Sequence, residues 1–245
     1  MDDAAFARLL EAEERSFWFR ARRRLLVATL DRHFPYATSF LEVGCGNGHV
    51  LAGVAAQHPQ MRVAGTDLSA AGLAHARQRV PRAELLQADA RELPFTAEFD
   101  VVGAFDIVEH VADDRRVLGA MRAAVRPGGG MIVSVPQHPW LWSEADRFSG
   151  HQRRYTRREL QRKLTDAGLH VRAMTSFVTF PLPLMAASRA WERVSRKPYD
   201  PARELALPAR VDRVLERVLD AEAALIARGA SLPVGGSLLA VARCA

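Results

Sequence analysis

Cysteine is scarce in this 245-residue chain, which contains two, Cys45 and Cys244, far apart in the sequence. A disulfide framework is therefore not expected, and the composition suits a cytoplasmic protein. No apolar run is long enough to cross a bilayer, because the most apolar stretch outside the predicted core, residues 177–187, covers about half a span and contains two prolines. The first residues, Met1-Asp2-Asp3, are acidic and lack the pattern of a secretory signal peptide.

The composition is that of an ordinary globular protein, with 49% hydrophobic and 25% charged residues. The length suffices for one large domain. Lys and Arg number 34 against 28 Asp and Glu, which gives a net charge of +6. That balance suits an anionic partner such as nucleic acid, but charge alone does not establish one.

Short apolar runs alternate with helical patterns along most of the chain. Strands are predicted over residues 38–43, 62–65, 84–88, 99–105, 131–135, 169–177 and 237–242. This rhythm predicts an α/β fold, a doubly wound and mostly parallel seven-stranded sheet with helices on both faces. Ligands of such sheets bind beyond the carboxyl ends of the strands. Acidic residues stand at or just after those ends in four successive strands: Glu42, Asp67, Asp89 and Asp106.

The segment Gly44-Cys45-Gly46-Asn47-Gly48-His49 joins the first strand to a helix. Its alternate glycines let the backbone turn sharply and approach a ligand closely. His49 stands where a dinucleotide-binding fingerprint requires glycine or alanine, so a nicotinamide cofactor is disfavoured. Asp67 can accept hydrogen bonds from a ribose diol, and Glu42 suits an ammonium group better than a phosphate. These residues predict a nucleoside ligand without a pyrophosphate.

The motifs and their order resemble the class I S-adenosylmethionine (SAM)-dependent methyltransferases, specifically the ubiquinone-type group (methyltransferase types 11–12). The resemblance covers residues 38–168 and the last strand, and it includes Arg126-Pro127-Gly128-Gly129 before the fifth strand. It implies a Rossmann-like fold, SAM as the cofactor and methyl transfer as the activity.

The resemblance also implies a role for each matching residue. Gly44-Cys45-Gly46 lies along the methionine moiety, Asp67 holds the ribose, and Asp89-Ala90 contacts adenine. Phe105 or Asp106 lies behind the sulfonium. The predicted cofactor-binding residues are Arg20, Glu42, Gly44, Cys45, Gly46, Asp67, Leu68, Asp89, Ala90, Phe105 and Asp106.

Two segments are predicted on the acceptor side. Asp106-x-x-Glu109-His110 resembles the E-x-x-E-H segment of ubiquinone-biosynthesis O-methyltransferases and small-RNA 2′-O-methyltransferases, where it binds a divalent metal. We predict no metal here, with Asp106, Glu109 and His110 as the alternative ligand set. The other segment is the polar and aromatic loop 136–155. The predicted catalytic residues are His110, His151 and Tyr155, although Tyr155 could instead pack at a helix entry.

The whole chain, residues 1–245, is predicted as one domain. Its predicted parts are an N-terminal helical flap (1–35), a core (36–177), a helical cap (178–230) with a turn at 197–201, and the last strand (231–245). Helices are predicted over residues 2–33. They contain an aromatic and arginine-rich cluster that either packs on the core or grips a ligand carboxylate, which is the role assigned to Arg20.

The resulting hypothesis is an enzyme that moves a methyl group from SAM to a small-molecule or lipid-like acceptor, at oxygen. A lipid-like acceptor would bring the cap into peripheral contact with a membrane. We expect no nucleic-acid partner, although an RNA 2′-O-methyltransferase, whose binding would depend steeply on salt, is one alternative. A non-catalytic SAM-binding partner subunit is another.

Overall fold

A computed structural model describes residues 16–195 and 207–244. Its strands are β1 (Ser39–Val43), β2 (Arg62–Asp67), β3 (Glu84–Gln87), β4 (Phe99–Phe105), β5 (Val125–Pro136), β6 (Leu169–Phe177) and β7 (Ser237–Cys244). Its α-helices are α1 (Phe17–His33), α2 (His49–Gln57), α3 (Ala70–Arg79), α4 (Asp114–Ala124), α5 (Glu144–Phe148), α6 (Arg157–Asp166), α7 (Leu182–Ser195) and α8 (Ala209–Ala227). The helix predicted within 1–15 and the turn at 197–201 lie outside the described residues.

One seven-stranded sheet has the order β3-β2-β1-β4-β5-β7-β6. Strands β1 to β5 pair in parallel, and β7 lies antiparallel between β5 and β6. This confirms the predicted doubly wound sheet. The strand order reverses between β1 and β4, which is where ligands bind in open α/β sheets.

Buried clusters cover both faces of the sheet. Alternate residues of β1 show this, because Leu41 belongs to one cluster and its neighbour Phe40 to the other. The first cluster includes residues of α4 and α6, and the second includes residues of α1, α2 and α8. The apolar strands are therefore buried on both sides, as their continuous apolar runs predict.

Two helix starts are stabilised by side-chain capping bonds. The Ser69 side chain accepts a hydrogen bond from the Gly72 amide (3.1 Å) at the start of α3. The Thr156 side chain likewise accepts a hydrogen bond from the Glu159 amide (3.2 Å) at the start of α6. Each bond satisfies an amide that has no partner within its own helix.

Strand β5 is longer than predicted. The sequence predicts a break at 126–130 before a strand at 131–135, but β5 begins at Val125 and contains these residues. A Cβ on Gly129 would lie 2.5 Å from the Asp100 carbonyl oxygen, and one on Gly130 would lie 2.3 Å from that of Ala242. These glycines allow close contact with neighbouring strands, so the Gly run is not a loop.

Helices α1 and α8 pack together through an ion-pair ladder. Arg20 donates to Asp212 (2.7 Å) and Glu216 (2.6 Å), and Arg24 donates to Glu216 and Asp220. The acidic residues of α8 thus face the arginines of α1. The N-terminal helix and the insertion before β7 form one layer over the sheet.

Helix α7 exposes apolar side chains, with 62% of Leu184 and 70% of Trp191 accessible. Within the described ranges, however, every helix is too short or too polar to cross a membrane.

Candidate functional site

The loop between β1 and α2 is built on left-handed glycines. Gly44 (φ +71°), Gly46 (+52°) and Gly48 (+76°) all have positive φ, a conformation that costs other residues free energy. The amides of Gly44 and Cys45 donate to the Thr66 carbonyl at 2.7 and 2.9 Å, which ties the loop to β2. A Cβ on Gly44 would lie 2.3 Å from Ile107, whereas one on Gly46 would meet nothing within 4 Å. Gly46 therefore presents backbone to open space.

Asp67 ends β2 directly beside this loop. Its Oδ2 accepts from the Gly46 amide (2.8 Å), and its Oδ1 accepts from the Ser69 amide (2.8 Å). These two bonds fix the carboxylate, and each oxygen keeps a lone pair for a further donor. Leu68, the next residue, is 65% exposed. A carboxylate that is fixed beside the open space at Gly46 can accept hydrogen bonds from both hydroxyls of a vicinal diol.

The other predicted cofactor residues lie along the same edge. Glu42, Cys45 and Phe105 are buried, and burial raises the pKa of the Cys45 thiol. Asp89 forms a 2.6 Å ion pair with Arg91, whose hydrogen bonds hold the pKa of Asp89 at about 2. The Asp89 carboxylate is therefore ionised at neutral pH. Its neighbour Ala90 packs against the buried cluster that contains α4 and α6.

The end of β4 carries Asp106 in a left-handed conformation (φ +56°). Its amide donates to the Ser134 carbonyl (3.0 Å), and its carboxylate lies 2.6 Å from the guanidinium of Arg22. Arg22 is buried and stacks over Trp18 at 4.9 Å. The structure thus corrects the prediction for Arg20, because Arg20 is held by α8 and Arg22 instead reaches the site.

Glu109 is fully buried just beyond Asp106. Neither of its carboxyl oxygens has a hydrogen-bond partner among the described residues. Burial, followed by the nearby charge of Asp106, raises the pKa of Glu109. Unsatisfied buried polar atoms of this kind are costly, which makes Glu109 a candidate functional group.

His110 and His151 lie together beside Glu109. Their ring centroids are 4.7 Å apart, and burial followed by the charge of His151 lowers the pKa of His110. Asp146 is fully buried and accepts from His151 Nδ1 at 2.8 Å, which fixes that imidazole. Although burial opposes ionisation, hydrogen bonds to His151 and Arg154 keep the pKa of Asp146 at about 2.

Donor atoms of Glu109, His110 and His151 lie within 4.8 Å of one another and could hold a metal ion. Asp106 is not in this group; its carboxylate pairs with Arg22. The alternative ligand set proposed from the sequence therefore changes by one residue, with His151 in place of Asp106.

Tyr155 is a core residue. Its side chain is completely buried, and its hydroxyl donates to Asp114 at 2.7 Å. Burial, followed by this hydrogen bond, raises the pKa of Tyr155. Lys163 also contacts the Asp114 carboxylate. This corrects the prediction of Tyr155 as a catalytic group, since its hydroxyl is sealed in a buried ion-pair network.

Arg22 is missing from the predicted site, whereas His138 and Asp146 belong to the predicted acceptor-side loop 136–155 but have no individual role assigned there. Arg22 is part of an arginine cluster whose inward member the sequence does not identify. Asp146 lies five residues before His151, which is too far along the chain to indicate contact without knowing the turn of α5. His138 follows β5 with a left-handed backbone (φ +64°), for which the only sequence signal is its position after a strand.

Comparisons with known proteins find similarity to methyltransferases. Residues 40–129 match a family model described as a methyltransferase domain. A probable SAM-dependent methyltransferase of Mycolicibacterium smegmatis is 33% identical over 166 residues, covering 64% of this chain and 61% of that relative. A trans-aconitate 2-methyltransferase of Azoarcus sp. is 34% identical over 128 residues, covering 52% and 48%. The chain thus spans about three-fifths or less of these curated relatives.

A solved structure shares the fold over nearly the whole chain. It is a Haloferax volcanii methyltransferase in complex with the Trm112 methyltransferase activator. The match covers 98% of this chain and 95% of that one, with a TM-score of 0.64 and 21% sequence identity. At this identity the likeness shows the fold alone.

Proposed function

We propose that this chain, which carries a class I SAM-dependent methyltransferase domain, transfers the methyl group of SAM to an oxygen of a small-molecule or lipid-like acceptor. The observation that carries this proposal is the pairing of Gly46 with Asp67. The amide of an open, left-handed glycine and a carboxylate fixed by two backbone amides stand side by side at the switch point of the sheet.

The residues present fit SAM. Asp67 would hold the ribose hydroxyls, because its oxygens retain acceptor capacity. The open side of Gly46 would admit the methionine moiety, and Ala90 would line the adenine. When bound, SAM supplies an electrophilic methyl group on a sulfonium. Phe105 and Asp106, at the end of β4, would lie behind that sulfonium.

On the acceptor side, the paired histidines would receive a proton from the acceptor oxygen. The lowered pKa of His110 keeps its imidazole neutral at neutral pH, so a ring nitrogen can accept that proton. Asp146 holds His151 in one orientation, which favours a fixed hydrogen bond to the acceptor. Positioning of the two reactants then accounts for much of the rate, on the order of 7–11 kcal/mol for well-oriented pairs.

A small-molecule acceptor is supported by the trans-aconitate 2-methyltransferases among the relatives. A lipid-like acceptor is supported by the exposed apolar face of α7. Both lie within one proposal, because each acceptor would reach the same edge of the sheet.

Calorimetry with S-adenosylhomocysteine tests the cofactor site. Asp67→Ala removes the proposed diol acceptor, so we expect the affinity to fall by about 10- to 100-fold, as for the loss of a hydrogen bond to a charged group. Asp166→Ala, which removes a carboxylate paired with Arg115 at the end of α6, is the matched control and should bind as wild type. Equal affinities for wild type and a folded Asp67→Ala protein would refute the proposal.

A further inference from the structure

Helix α8 separates its charges by sign. Its acidic residues Asp212, Glu216 and Asp220 recur every turn and form ion pairs with the arginines of α1. Three arginines of the same helix are exposed and have no carboxylate partner in the part of the chain that the structure describes: Arg210, Arg213 and Arg217. The solvent-exposed surface of α8 is therefore positively charged, which favours an anionic partner.

An apolar stripe runs along the same helix. Val214 is 59% accessible, and Val211 and Leu225 are each 42% accessible. At 3.6 residues per turn, positions 211, 214 and 225 lie on one side of α8. A different side carries the buried Leu219 and Ile226, which belong to the core cluster shared with α1 and α2. The exposed stripe is therefore not part of the packing of α8 on the sheet.

Helix α7 adds larger exposed apolar side chains. Leu184 and Trp191 are exposed two turns apart, and Phe180, just before the helix, is also exposed. The start of α7 lies against α8, because the carboxylate of Glu222 accepts a hydrogen bond from the Phe180 amide (3.0 Å). Glu222 lies one turn before Leu225, so the apolar side chains of α7 begin next to the stripe of α8.

These features fit a lipid surface better than a second copy of the chain. If two copies met through α8, the arginines of one would lie near those of the other, and like charges repel. Anionic headgroups instead pair with arginine, while apolar side chains enter the boundary between headgroups and acyl chains. Tryptophan is enriched at this boundary, as Trp191 would be here.

We propose that α7 and α8 together form a docking surface for an anionic lipid bilayer. The arginines of α8 bind the phosphate groups of the headgroups, and the exposed apolar side chains of both helices enter the bilayer boundary. This inference does not depend on the proposed methyl transfer, because docking requires neither SAM nor an acceptor.

Co-sedimentation of the full chain with lipid vesicles tests the proposal. Vesicles of phosphatidylglycerol and phosphatidylcholine in equal parts are compared with vesicles of phosphatidylcholine alone. We expect binding to the mixed vesicles and about tenfold weaker binding to phosphatidylcholine, because only the mixed vesicles are anionic. Raising the salt from about 0.05 M to about 0.5 M should weaken binding to the mixed vesicles, since salt screens exposed charges.

The charged part of the surface is tested by Arg213→Gln/Arg217→Gln. The loss of two arginines should weaken binding to the mixed vesicles by about 10- to 30-fold. Arg158→Gln/Arg162→Gln is the matched control, because it removes two exposed arginines with the same spacing on α6. Helix α6 packs in the other core cluster, on the opposite face of the sheet, so this variant should bind as wild type.

The apolar part is tested by Leu184→Ser, which should weaken binding to the mixed vesicles by about fivefold. This loss should persist at high salt, because burial of an apolar side chain is not screened. Leu86→Ser is the matched control. Leu86 is also exposed but lies in β3, at the edge of the sheet farthest from β6, so its substitution should leave vesicle binding unchanged.

Thermal denaturation of every variant shows whether the fold is retained. The inference is overturned if wild type does not bind the mixed vesicles or binds both kinds of vesicle equally. It is also overturned if folded α8 and α6 double variants bind alike, or if Leu184→Ser binds as wild type. Self-association of the chain without vesicle binding, measured by analytical ultracentrifugation, would assign the surface to a second copy instead. Calorimetry with S-adenosylhomocysteine on the same samples tests the proposed function separately.

Discussion

Gly44 and Gly46 occupy one loop but require glycine for different reasons. At Gly44 a side chain would collide with Ile107 at 2.3 Å, so the fold itself excludes one. At Gly46, a side chain's Cβ would have no atom of another residue within 4 Å, apart from the two chain neighbours. The space beside Gly46 is therefore open to a ligand or to solvent. Gly46 can therefore be substituted to probe binding with little steric damage to the fold.

We expect Gly46→Ala to lose about 1–2 kcal/mol of stability, the usual cost of a left-handed conformation for a residue with a Cβ. It should also weaken S-adenosylhomocysteine binding, because the added methyl group enters the space proposed for the methionine moiety. Chemical denaturation and calorimetry measure the two effects. Gly168→Ala is the control, since Gly168 (φ +79°) also has open space around it but lies in the turn between α6 and β6.

Gly46→Ala and Gly168→Ala should thus lose similar stability, and only Gly46→Ala should bind S-adenosylhomocysteine more weakly than wild type. If both bind as wild type, the open side of Gly46 does not face the cofactor.

Individual site residues are predictable only where their role depends on local sequence. Asp67 follows a strand and precedes a helix cap, so its place beside the loop can be inferred from the chain itself. Local sequence does not show which of Arg20 and Arg22 reaches the site. The answer depends on α8, which supplies Asp212 and Glu216, the partners of Arg20, from far along the sequence. The role of Tyr155 likewise depends on Asp114, a buried carboxylate in a different helix.

Among the helix contacts, the packing of α1 against α8 depends most clearly on ion pairs. Hydrogen bonds from Arg20 lower the pKa of Glu216 to about 2, below the value of about 4.3 expected in the unfolded chain. A carboxylate with a depressed pKa stabilises the fold above its unfolded pKa, and this contribution is lost as the pH falls toward the folded pKa. The α1–α8 contact should therefore weaken between about pH 5 and pH 2.

Glu216→Gln removes this contribution. Its melting temperature should be lower than that of wild type at about pH 7, and the difference should shrink at about pH 3. Thermal denaturation followed by circular dichroism measures both. Glu98→Gln, which alters an exposed pair with Arg62 at 3.6 Å, is expected to change little at either pH. A difference for Glu216→Gln that does not change with pH would argue against the ion pairs as its source.

The bounds of some strands can be predicted from local sequence. Strands β4 and β6 have the predicted limits, Phe99–Phe105 and Leu169–Phe177. Strand β5 does not, because glycine and proline at 126–130 usually indicate a turn. In this sheet the same glycines permit close contact with Asp100 and Ala242, an effect of tertiary packing that local sequence does not show.

At the scale of the whole molecule, β7 holds the sheet together. It pairs with β5 on one side and β6 on the other, and most of its residues are fully buried. A chain ending at residue 236 would leave two unpaired strand edges and uncover both apolar clusters. We expect such a chain to lose the cooperative thermal transition of the full chain in circular dichroism.

Adding a synthetic peptide of residues 237–245 provides the control, since strand addition can restore a missing central strand. Partial recovery of the transition is expected with this peptide and not with a scrambled one. A shortened chain that unfolds cooperatively without any peptide would show that β7 is dispensable.

The seven-stranded sheet is predictable as a whole because alternating strands and helices allow few arrangements. The antiparallel placement of β7 between β5 and β6 does not follow from periodicity, since the apolar run of β7 resembles those of the parallel strands.

The ladder between α1 and α8 also affects the order of events during synthesis. Arg20 and Arg24 leave the ribosome long before the carboxylates of α8, and contacts between distant parts of a chain form slowly. During synthesis, the arginines of α1 therefore remain without their α8 carboxylate partners while the first strands of the sheet form. We expect the chain to bind SAM and the acceptor only after the final helix and strand have been made.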